Sequence, residues 1–186
     1  DTALNHYELA REALADDEAA PYHVRALANG CLLHHLMGDD GAALALGKKA
    51  GSLSVDLPQI RATALANLGY ALYALRRYDE AGETSRAAWT LREALQQPHL
   101  MLEPLANLAQ VELAQGHPAQ ARDHVEEILA LSGRAFPQGA DQPFLAYGIC
   151  YRVLEAHQDE RAGAVLDTAH QHLQHRADQV KDASLR

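Results

Sequence analysis

The chain has 186 residues and a net charge of −9, from 25 acidic and 16 basic side chains. It therefore lacks the basic face that binding to nucleic acid phosphates or to an anionic membrane surface requires. With 36 Ala, 29 Leu and only three Ile residues, the composition favours an all-α fold, because Ala and Leu lead the helix propensity scale. No apolar run approaches the roughly 20 residues that span a bilayer, and no signal peptide is visible. We expect a cytoplasmic protein that binds neither nucleic acid nor membrane.

Apolar periodicity and helix punctuation predict nine helices in chain order. The predicted helices are Thr2 to Ala15, Tyr22 to Met37, Asp40 to Ser54, Pro58 to Leu75, Asp79 to Gln97, His99 to Gln115, Pro118 to Leu131, Gln142 to His157 and Asp159 to about Asp182. Pro58 and Pro118 suit a first helical turn, whereas Gly38 and Gly116 suit a helix end. The one long connection, Ser132 to Asp141, is rich in turn formers.

An internal repeat organises these helices in pairs. A small residue early in each second helix recurs at spacings of 40, 38, 40 and 41: Ala3, Ala43, Ala81, Ala121 and Ala162. Short side chains at one register allow two antiparallel helices to pack closely. The repeat predicts a single domain over residues 1–186, a right-handed α-solenoid of antiparallel helix pairs. Because the chain opens on a second-type helix without its partner, we expect a fragment of a longer array.

The stretch LANLGYALYALRRYDEA, from Leu65 to Ala81, resembles the tetratricopeptide repeat (TPR) family. Ser85 and Glu93 depart from that family's pattern, and the period near 40 exceeds its usual length of about 34. The stretches Leu102 to Leu129 and Tyr151 to Asp178 are similar to MalT-like TPR arrays of large bacterial signalling and transcription-regulator NTPases. The resemblance implies a regulatory or sensor segment whose nucleotide-triphosphatase module lies elsewhere in the protein.

The sequence contains no pattern that carries catalysis. Gly41 to Lys48, GAALALGK, has the wrong spacing for a phosphate loop and lies within a predicted helix. His170, His172 and His175 do not share one helix face, so we expect no metal site there. Cys31 and Cys150 are expected to be buried packing residues. We expect no catalytic residue, no bound metal and no cofactor.

Three asparagines occupy one repeat position and suggest a binding surface. Asn29, Asn67 and Asn107 each follow Leu-Ala on a predicted first helix. An amide offers a donor and an acceptor together, so a ladder of exposed amides could pair with a peptide backbone. The alternative is that these amides bond between helices and serve only the architecture.

The same groove face is expected to carry seven further side chains: Arg25, His35, Tyr70, Tyr73, Gln110, Tyr147 and Tyr151. Tyrosine pairs spaced i,i+3 or i,i+4 share a helix face and are favoured in binding sites, although they could equally form core between repeats. The sequence thus predicts a non-catalytic scaffold that binds a protein or peptide. A sensor of a small effector such as a sugar and a self-association module remain alternatives.

Overall fold

The computed structural model describes residues 5–7, 9, 20–132 and 142–179, and all regular secondary structure within these ranges is helical. The helices are α1 (Pro21–Leu36), α2 (Asp40–Leu53), α3 (Pro58–Ala74), α4 (Tyr78–Ala94), a 3-10 turn (Pro98–Leu100), α5 (Leu102–Ala114), α6 (Pro118–Ser132), α7 (Pro143–Ala156) and α8 (Arg161–Gln179). Residues 5–7 and 9 are also helical and belong to the first predicted helix. The remainder of that helix, with Ala3, lies outside the described residues, as does the connection 133–141.

The predicted starts and ends of the other helices agree with the structure to within about three residues, apart from the predicted end at Asp182, which lies outside the described residues. One difference has a clear cause. The sixth helix was predicted to begin at His99, but α5 begins at Leu102 after a separate 3-10 turn. Pro104 lacks the N–H that would bond to the carbonyl of Leu100. A proline is therefore tolerated only within the first turn of a helix, which requires α5 to start just before it.

One turn geometry closes every first helix. The residue that follows the helix end adopts the left-handed conformation, with φ of 80° at Gly38, 59° at Arg76, 81° at Gly116 and 55° at Gln158. The next N–H then bonds to the carbonyl five residues back, as from Asp39 to His34. This is the Schellman arrangement, which satisfies carbonyls at the helix end. It reverses the chain within a few residues and sets each second helix antiparallel to its partner.

The helices form two layers. Along the chain, the first helices α1, α3, α5 and α7 each contact the next first helix, and we call them the inner layer. The second helices α2, α4, α6 and α8 form the outer layer, whose members do not contact one another within the described residues. Helices that touch on one side and separate on the other produce an array that curves around the inner layer. The all-α solenoid of helix pairs is therefore confirmed.

Small residues lie where the helices approach most closely. Ala43, Ala81 and Ala121 are fully buried, as the repeat predicts, and Ala162 is half-buried. Cys31 is also fully buried and packs with Ala43. Within the described ranges, no helix has the length and apolar character needed to cross a bilayer.

Candidate functional site

All ten predicted groove residues lie on inner-layer helices, but they differ widely in exposure. Arg25 and Asn29 are exposed, and His35, Tyr73 and Tyr151 are half-buried. The other five are buried: Asn67, Tyr70, Asn107, Gln110 and Tyr147. The face predicted from the sequence is therefore partly exposed surface and partly core.

A concavity of the inner layer lies between α1 and α3, and we call it the inner pocket. It has a volume of about 330 Å³ and includes Arg25 and Asn29 from α1 and Gln59 and Thr63 from α3. Arg92, from the end of α4, also lines it. The lining is mostly polar.

Arg92 forms the rigid wall of the inner pocket. Its side chain is only 4% exposed. One terminal nitrogen donates to Gln97 Oε1 at 2.7 Å and the other donates to Thr63 Oγ1 at 2.6 Å. A guanidinium remains charged at any physiological pH, so the pocket holds a permanent positive charge in a fixed position.

The expected ladder of exposed amides is wrong for two of its three members. Asn67 is 7% exposed and donates to the carbonyl oxygen of Ala28 on α1 at 2.9 Å. Asn107 is fully buried and donates to Ser85 Oγ on α4 at 2.5 Å. Both amides bond between helices because a neighbouring helix covers their position, whereas Asn29 is exposed and lines the inner pocket.

Gln110 extends the buried polar contact of Asn107 toward the surface. Its Nε2 donates to Asn107 Oδ1 at 2.5 Å, and its Oε1 accepts from Arg152 Nη2 at 3.2 Å. Arg152 itself is exposed on α7. Tyr73, Gln110 and Arg152 line a smaller inner-layer pocket of about 140 Å³, which we call the Tyr73 pocket.

The tyrosine pairs are each split between core and surface. The buried Tyr70 hydroxyl donates to the carbonyl of Glu103 at 2.9 Å, and burial raises the pKa of this phenol well above its usual value. The His35 ring stacks on Tyr70 with centroids 6.0 Å apart and contacts Asp40 Oδ1 through Nδ1 at 2.6 Å.

Tyr147 and Tyr151 divide in the same way. Tyr147 is 2% exposed, and its hydroxyl contacts His172 Nδ1 at 3.3 Å. Tyr151 bonds to Glu155 along its own helix. Neither the inner pocket nor the Tyr73 pocket includes these two residues.

Sequence reasoning missed five polar residues of these pockets: Gln59, Thr63, Arg92, Gln97 and Arg152. For Arg92 a signal existed, because it continues the buried stripe Ala81, Ser85, Ala88 at helical spacing. A charged residue on such a stripe must have polar neighbours in the fold.

No group of three or more His, Cys, Asp and Glu side chains within the described ranges is arranged to hold a metal ion. The two thiols are also poor nucleophiles. Burial raises the pKa of Cys31 and of Cys150 to about 12, so both are protonated near neutral pH and the reactive thiolate is scarce.

Comparison with known proteins agrees with this architecture. Residues 60–133, which run from the start of α3 to the end of α6, match the family described as the tetratricopeptide repeat. The crystal structure of a "Podosopora anserina putative kinesin light chain" with nearly identical TPR-like repeats is 15% identical, with a TM-score of 0.63 over 97% of this chain and 89% of that one.

A variant of that same protein gives a TM-score of 0.64 at 15% identity, over 96% of this chain and 88% of that one. At this identity, the likeness concerns the fold. No curated protein matches the chain significantly. Tetratricopeptide repeats generally mediate protein–protein interaction, and their fold is typically a non-catalytic scaffold.

Proposed function

We propose that this chain is a non-catalytic array that binds an extended segment of a partner protein along its inner layer. The observation that carries the proposal is the inner pocket, a polar concavity of about 330 Å³ between two first helices. A pocket built on helices holds its side chains in fixed positions, so little ordering is required when a ligand binds.

The polar groups at the mouth of the inner pocket suit a peptide. Arg25 and Asn29 lie four residues apart on α1, so they project from the same face. Both are exposed, and neither has a hydrogen-bond or ion-pair partner within the described residues. An amide can pair with a peptide backbone, and a guanidinium can pair with a carboxylate. In the Tyr73 pocket, Tyr73 of α3 and Arg152 of α7 offer a hydroxyl and a guanidinium to the same partner.

We further infer that the array is the regulatory or sensor segment of a larger cytoplasmic signalling protein of the MalT-like kind. The support is the similarity of Leu102 to Leu129 and of Tyr151 to Asp178 to such arrays. The sequence of the full-length gene product tests this inference. A nucleotide-triphosphatase module in the same chain is expected, and a chain that ends in unrelated modules would contradict it.

Selection of peptides from a random phage-displayed library on the immobilised chain tests the binding function. Selected peptides should lose at least about fivefold in affinity for an Arg25→Gln, Asn29→Ala double variant, because a charged and a neutral hydrogen bond are removed together. Lys48→Gln is the matched control, because Lys48 is exposed on the outer-layer helix α2. Peptides whose affinity is unchanged in the double variant would show that the inner pocket is not the binding site.

A further inference from the structure

A second and larger pocket lies on the opposite side of the α3–α4 pair, and we call it the outer pocket. It measures about 580 Å³ and is lined by Arg61 and Leu65 of α3, by residues of α4 and by Val55 after α2. Arg61 is two residues from both Gln59 and Thr63 of the inner pocket. At 3.6 residues per turn this is a rotation of about 200° around α3, so the two pockets open to different sides.

The outer pocket exists because neighbouring second helices do not touch. The helices α2 and α4 have no contact with one another, which leaves space over the α3 side chains between them. Apolar groups dominate its lining, including Leu65 and Leu91. Val55, at its edge, is 60% exposed. Its volume falls in the range of about 300–1,000 Å³ that is typical of binding pockets.

The rim of the outer pocket carries more positive than negative charge. Arg61 and Arg86 face one acidic residue, Glu83. Neither arginine forms an ion pair within the described residues. The chain has nine more acidic than basic residues, so most arginines could find a carboxylate. Arg77 and Arg161, for example, each pair with one.

The equivalent place in the next repeat has no arginine at either position. At a spacing of 40, Arg61 corresponds to Met101, and Arg86 corresponds to Glu126. Met101 is buried at 8% exposure, and Glu126 is already paired with Arg161 at 2.5 Å. The next repeat therefore lacks two available guanidiniums at this place, so this positive charge does not follow from solenoid stacking alone.

We propose that the outer pocket docks a short acidic segment of a partner protein, with one or two leucine-like side chains against Leu65 and Leu91 and carboxylates beside Arg61 and Arg86. Burial of the apolar side chains supplies most of the affinity. The arginines select for negative charge and accelerate association. This site is separate from the inner-layer site and does not depend on it.

Fluorescence anisotropy with a defined peptide tests the proposal. The probe is fluorescein-labelled Glu-Leu-Ala-Ala-Glu-Leu-Ala-Ala-Glu-amide, which places two leucines four residues apart and flanks them with glutamates. Saturable binding is expected. Replacing both leucines by serine should weaken binding at least about tenfold, because the burial of both apolar side chains is lost. Replacing the glutamates by lysine should weaken binding by more than about fivefold, because attraction to Arg61 and Arg86 becomes repulsion.

Protein variants locate the site. The Arg61→Gln, Arg86→Gln double variant should weaken binding of the probe about fivefold, since exposed ion pairs contribute only modestly to affinity. Val55→Glu should weaken it further by repulsion. The matched control is Arg76→Gln with Arg176→Gln, which changes net charge equally at two exposed positions outside the outer pocket and should leave affinity unchanged.

Amide chemical-shift mapping distinguishes the two pockets. Shifts should concentrate at Val55, Thr90 and Leu91 and be small at Asn29. Shifts centred on Asn29 would overturn the proposal while supporting the inner-layer site. Absence of saturable binding, or equal binding of the lysine peptide, would also overturn it.

Discussion

The three equivalent asparagines give a graded test of how the structure uses one repeat position. Replacing each by alanine removes the same side chain from three different environments. Asn29 is exposed, Asn67 is buried with one bond to a backbone carbonyl, and Asn107 is fully buried with bonds to Ser85 and Gln110.

The expected losses of unfolding free energy follow from what each substitution leaves behind. Asn107→Ala leaves the Ser85 hydroxyl and the Gln110 amide without their partner, at about 1–3 kcal/mol for each buried group. Rearrangement offsets part of this, so we expect about 2–4 kcal/mol. Asn67→Ala should cost about 1 kcal/mol, because the Ala28 carbonyl keeps its intrahelical bond. The free energy of unfolding of the Asn29→Ala variant should lie within about 0.5 kcal/mol of that of the parent chain.

Urea unfolding followed by far-ultraviolet circular dichroism and by the fluorescence of Trp89, the single tryptophan, measures these differences. The slope with denaturant should be unchanged if the same surface is exposed in each variant. Equal losses in all three variants, or a loss below about 0.5 kcal/mol for Asn107→Ala, would refute the assignment of Asn107 as an interhelical strut.

Three further predictions concern packing, charge and thiol chemistry. Gly69→Ala should destabilise the chain by about 1–3 kcal/mol, because its Cβ would lie within 2.5 Å of the Asn107 amide; Gly148→Ala, with no atom within 4 Å of its Cβ, should be neutral or stabilising in thermal melts. Hydrogen bonds from Arg161 lower the pKa of Asp159; its contribution to stability is therefore present above the unfolded pKa of about 3.9 and lost as pH falls through the folded pKa. A carboxyl resonance that titrates at the ordinary Asp value, or one unmoved by Arg161→Gln, would contradict this. Cys31 should react with a thiol reagent only as fast as the chain unfolds, since burial raises its pKa to about 12; rapid labelling of the native chain would disprove its burial.

Local chemistry made much of the fold predictable. Pro58 and Pro118 open helices, and Gly38 and Gly116 occupy left-handed positions after helix ends, because only a few residue types suit those backbone conformations. The period near 40 followed from small residues that must recur wherever two helices approach closely. These features depend on residue type and on spacing along the chain, so they can be predicted from the sequence.

The site depended on contacts that no spacing reveals. Asn29, Asn67 and Asn107 each follow Leu-Ala at one repeat position, yet only Asn29 remains exposed. Likewise, Arg61 and Arg92 belong to separate pockets on opposite sides of one helix pair. The sequence by itself determined the helices, their pairing and their repeat. Only the tertiary structure decided which equivalent side chains are covered, because burial depends on which helix packs against a position and not on the position's own residue.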